Sequence, residues 1–141
     1  MKLRALFLIA AACLLPACGD DSSGGGGTNP TPTRLSFSFV GSLDPGGVAF
    51  TNFTVQSTGV QTEVMFGSMT NSAGNVNSSV MAIGLGSPTD TECVVSSGVE
   101  IAPSLTTQLR SSLAPGNYCV RIADTGNLNE SVRFAIRVVH P

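Results

Sequence analysis

The segment Leu113-Ala-Pro-Gly-Asn-Tyr-Cys-Val-Arg-Ile122 (LAPGNYCVRI) decides the fold class. Pro115 presets φ and Gly116 is suited to a positive φ, so Ala114–Asn117 reads as a tight turn. Beyond it, Tyr118, Val120 and Ile122 point one way and Cys119 and Arg121 the other, the two-residue period of a half-buried strand. The same period returns at the end of the chain, where Val132, Phe134, Ile136 and Val138 alternate with Arg133 and Arg137 over a strand from about 132 to 139.

Working outward, Leu35, Phe37 and Phe39 alternate with serines. Gly41 to Gly47 (GSLDPGG) then supplies turn residues, and 48–56 resumes an extended pattern. Val60, Thr62, Val64 and Phe66 alternate again, 70–79 is a polar loop rich in Asn and Gly, and 80–85 is a short apolar run suited to a central strand. Two further short strands fall at 92–96 and 105–110. Seven or eight strands with turns every 8–12 residues predict an all-β, antiparallel, jelly-roll-like sandwich over 34–141. Charged residues make up only 11% of the chain, and no stretch keeps a helical period beyond two turns.

The first 33 residues read differently. Lys2 and Arg4 precede an unbroken apolar run, Ala5 to Leu15, that is too short for the roughly 20 residues a membrane span needs but suits a signal peptide. The run ends in Leu15-Pro-Ala-Cys18, which resembles the lipobox of bacterial lipoproteins. That resemblance implies diacylglycerol on Cys18, cleavage after Ala17, and a membrane held through lipid. Acylation of this kind anchors firmly only with two or more chains, each buried CH₂ contributing about 0.8 kcal/mol. An ordinary signal peptide with an incidental Cys18 is the alternative; Cys13 is a poor acceptor, because cleavage there leaves too short an apolar run. Residues 1–17 are thus expected to be leader and 18–33 a flexible tether of Gly, Ser, Thr and Pro, its coil spanning roughly 20 Å. Gly19 after the cysteine, in place of the Asp that favours inner-membrane retention, points to the outer membrane.

A second resemblance covers most of 34–141. Gly41-Ser-Leu with Phe50-Thr-Asn-Phe-Thr-Val55, then 113–122, then Phe134-Ala-Ile-Arg-Val138, are similar to segments of the bacterial pre-peptidase C-terminal domain. This implies a jelly-roll-like accessory module of secreted proteins. A cysteine stands where that family has a second aromatic, and its acidic pair for calcium is not evident, so no ligand role is carried over.

With Cys13 in the leader and Cys18 lipidated, Cys93 and Cys119 remain for a disulfide, which an oxidising exterior favours. It is expected off the main core or between adjacent strands; a metal site would need more ligands than these two and His140. No cofactor is expected. Asp90, Glu92 and Asp124 are the candidates for calcium, against solvated turn acids, and Asp124-Thr-Gly-Asn127 itself reads as an Asx-type hairpin loop. His140, the one histidine, is one residue from the C-terminus, where fraying is a poor setting for a hydrolase triad. Arg121, Arg133 and Arg137 are expected to line one outer face and contact an anion or glycan. The mature chain has five Arg against nine acids, a net of −4, and its cations are scattered, which excludes a nucleic-acid binder. The functions these features suggest are a non-catalytic module displayed on the envelope for a protein or glycan ligand, or an assembly lipoprotein that pairs through sheet edges; an enzyme is not expected.

Overall fold

The structure, a computed structural model, describes residues 33–141; the leader, Cys18 and the tether up to residue 32 lie outside the described residues. Each two-residue period becomes a strand: β1 (Leu35–Leu43), β2 (Val48–Val55), β3 (Thr62–Asn71), β4 (Met81–Pro88), β5 (Cys93–Ile101), β6 (Leu109–Ser111), β7 (Gly116–Ala123) and β8 (Val132–His140). Among the described residues there is no helix. The strands form two four-stranded antiparallel sheets, β1-β8-β3-β6 and β2-β7-β4-β5.

That order has a simple origin. Strand 1 pairs with 8, 2 with 7, 3 with 6 and 4 with 5, as in one long hairpin with its tip between β4 and β5. Wrapping this hairpin sends successive pairs to alternate sheets and brings β8 beside β3 and β7 beside β4. The result is jelly-roll winding.

The two inner faces supply the core. Val64, Phe66, Ile136 and Val138 from one sheet meet Val55, Leu85, Val120 and Ile122 from the other, all at most 1% exposed. In β8, Val132, Phe134, Ile136 and Val138 face inward as the period predicts.

Several boundaries differ from the sequence reading. Gly41-Ser-Leu43 belongs to β1, because Leu43 occupies the next inward position and is 2% exposed. Gly41 is a strand glycine: a Cβ there would lie 3.0 Å from Cζ of the Phe134 ring. The turn proper is Asp44–Gly47, with Gly46 at φ 71° and the Gly47 N–H donating to Asp44 O at 2.8 Å. Gly116 does not take a positive φ; it opens β7 opposite Val55, and Tyr118 Oη closes the preceding loop by donating to Ala114 O at 3.0 Å.

Strand β3 starts at Thr62 rather than Val60. It shifts register between Phe66 and Ser68, which puts Met69 inward, and it extends into the expected loop as far as Asn71. Strand β5 runs on to Ile101, past the expected end at Ser96. The strand expected at 105–110 shrinks to β6. Leu105 is 83% exposed, and the Gln108 side chain substitutes for the ladder: its Oε1 accepts from Phe66 N at 2.6 Å while its Nε2 donates to Phe66 O at 3.3 Å.

Candidate functional site

The chemistry outside the core concentrates on the outer face of the β2-β7-β4-β5 sheet. Along β4, Met81, Ile83 and Leu85 point inward, which leaves Ala82, Gly84 and Gly86 outward. The β4–β5 ladder shifts register between Leu85 and Gly86, an irregularity of the kind that bends a strand and raises its twist. A Cβ on Gly86 would fall 1.9 Å from the Val94 carbonyl oxygen, so only glycine lets the start of β5 lie against this side. Cys93, at the start of β5, is bonded to Cys119 of β7 with the two Cα atoms 5.9 Å apart. The disulfide lies off the core as expected, but it joins β5 to β7, which are not neighbours in the sheet, rather than adjacent strands. Cys119 is fully buried although Val120 and Ile122 take the inward positions, since the start of β5 covers it.

Arg121, two residues on, is half-buried on the same face, between Phe50 of β2 and Gly84 of β4. It borders two shallow hollows. One, of about 480 Å³, is lined by Val48, Phe50, Thr91, Glu92, Cys93 and Val94. The other, of about 220 Å³, has Gly84 and Gly98 on its floor with Val95 and Glu100 beside them. Val95 lies over Gly84, where a Cβ would come within 2.6 Å of its Cγ1. Among the described residues the ion pairs within 4 Å are Arg34–Glu63 (3.2 Å) and Arg110–Glu63 (3.6 Å), so Arg121 has no acidic partner at that range.

Arg121, Arg133 and Arg137 do not share a face. Arg133 and Arg137 lie on β8, exposed on the outside of the other sheet, opposite Ser42 and Ser38 of β1. Alternation fixes the side of its own strand to which a residue points, but the winding puts β7 and β8 in different sheets.

The three calcium candidates are likewise separated. Ala82 at one end of β4 pairs with Ala123, next to Asp124, whereas Pro88 at the other end pairs with Cys93, next to the Asp90–Glu92 turn. Among the described residues no three His, Cys, Asp or Glu side chains gather to hold a metal. Asp124 is engaged by the main chain instead. Its Oδ2 accepts from Gly46 N at 2.8 Å, and its Oδ1 accepts from the N–H groups of Gly126, Asn127 and Leu128 at 3.1, 2.8 and 3.2 Å. The Asx-type loop is therefore present, and it also clamps the β1–β2 turn. These donors, Gly46 first, hold the Asp124 carboxyl below its ordinary pKa against the opposing effect of desolvation.

His140 is held rather than frayed. It is 6% exposed, its ring centroid lies 5.2 Å from that of Phe53 and 6.0 Å from that of Phe37, and its Nδ1 is 3.0 Å from Pro141 O. Sequence reading missed Phe50, Glu100 and the glycine floor. The one available signal was Gly84-Leu-Gly86 inside a strand, the mark of a close approach by another backbone. No family model matches this chain, and no curated protein matches it.

Proposed function

We propose that this chain is an envelope lipoprotein, cleaved before Cys18 and anchored through lipid, that displays the jelly roll on a tether as a non-catalytic binding module.

 The anchoring half rests on Leu15-Pro-Ala-Cys18 and the Gly/Ser/Thr/Pro run that follows it. The binding half rests on one observation: Arg121 is half-buried without an acidic partner, between one hollow lined by Val48, Phe50 and Val94 and another beside Val95, which supports a ligand face on this side of the sheet. Similarity of three segments to the pre-peptidase C-terminal domain supports an accessory role over a catalytic one. Fractionation tests the anchoring: the wild-type protein is expected in the membrane pellet and labelled by a clickable palmitate analogue, and Cys18→Ser should release it and abolish the label. Unchanged labelling of Cys18→Ser would refute the lipid assignment.

A second reading has its own observation. The neighbouring edge strands β1 and β2 carry no charged residue and no proline, the usual guards against strand addition. An assembly role through these edges predicts that Val40→Lys on β1 abolishes capture of an envelope partner and leaves the fold intact.

A further inference from the structure

The Arg121 face carries a more specific assignment, which rests on the binding reading above. Phe50, Arg121, Gly84 and Gly98 stand in one row across the four strands, a width of about 14 Å at the usual strand spacing. Arg121 offers donors only, while Glu92 in one hollow and Glu100 in the other offer acceptors only. One cation flanked by two acids gives a net charge of −1, which disfavours an anion. A cationic ligand, in turn, would meet the guanidinium at the centre of the row. The groups best matched by separated donors and acceptors are hydroxyls, each of which can both donate and accept.

The rim is apolar: Val48, Val94 and Val95 are 53, 52 and 38% exposed, with Phe50 beside them. It suits C–H faces between the hydroxyls. The hollows are shallow and narrow against the roughly 800 Å² per partner of a standard protein interface, so a slender chain fits better than a folded protein. We infer that this face seats a neutral oligosaccharide, with Arg121 and the two glutamates bonding its hydroxyls and Phe50 and the valines covering its ring faces.

The test is calorimetric titration of the purified full-length protein, kept in a detergent without a sugar headgroup. The probes are cellohexaose, chitohexaose, maltohexaose and hexagalacturonate. At least one neutral hexasaccharide is expected to bind, with Arg121→Ala weakening it about tenfold or more, or at least 1.4 kcal/mol. Phe50→Ala is expected to act in the same direction, and Arg110→Ala, on the other sheet, to leave binding unchanged. Thermal melts by circular dichroism confirm that each variant folds. Binding of hexagalacturonate alone, binding that survives Arg121→Ala, or no binding by any neutral probe would overturn the assignment. Binding of hexagalacturonate alone that Arg121→Ala abolishes would overturn the neutral saccharide and leave the binding reading standing, so the two failures are distinguishable.

Discussion

Replacing Gly86 by alanine tests whether the disulfide and the register-shifted β4–β5 ladder form one mechanical unit. The new Cβ would lie 1.9 Å from the Val94 carbonyl oxygen, roughly 1.5 Å inside ordinary van der Waals contact. Relief requires the start of β5 to lift, and the Cys93–Cys119 bond opposes that movement. Overpacking of this kind costs about 2–3 kcal/mol. Removing the disulfide by Cys93→Ala with Cys119→Ala frees a loop of sequence separation 26, worth about 3.5 kcal/mol in the chain-entropy relation. Without the bond β5 can lift, and the cost of Gly86→Ala should fall to about 1 kcal/mol. The two changes are therefore expected to be less than additive, with a coupling of about 1–2 kcal/mol. Urea unfolding followed by far-UV circular dichroism on the four proteins of the cycle measures it. Additivity within about 0.5 kcal/mol would refute the mechanical link.

Other outcomes follow from single contacts. Gln108→Ala leaves Phe66 N without its side-chain acceptor and should destabilise by about 1–3 kcal/mol in the same urea assay. Phe66→Ala, at a fully buried position, should cost about 3–5 kcal/mol, whereas Leu105→Ser, at 83% exposure, should stay within about 0.5 kcal/mol. Because the folded Asp124 carboxyl titrates below its ordinary value, its contribution is present above about pH 4 and is lost as the pH falls through the lowered value. Melting temperatures of wild type and Asp124→Asn should therefore differ at pH 7 and converge toward pH 2; a constant difference across that range would exclude the clamp.

The inward faces of β7 and β8 were legible because the strand period is two and one side of each strand is buried. Val120, Ile122, Phe134 and Ile136 needed no tertiary information. The disulfide was legible from the cysteine count, because Cys93 and Cys119 are the two cysteines of 34–141. What alternation could not supply is the sheet to which a strand belongs, which is why Arg121 separates from Arg133 and Arg137. Nor could it supply contacts between distant backbones. The Asx-type loop at Asp124 is local and readable, but its partner Gly46 is 78 residues away. Leu105 looked like a strand residue by composition. Local bonding between Ser104 and Thr106, together with the Gln108 side chain, leaves the ladder to begin only at Leu109.

The central claim, a module displayed through lipid on Cys18, is tested most directly by mass spectrometry of the N-terminal peptide of the protein purified from membranes. The account predicts a peptide that begins at Cys18 and carries the mass of a diacylglyceryl group on its thiol. A mature terminus elsewhere, or an unmodified Cys18, would contradict it.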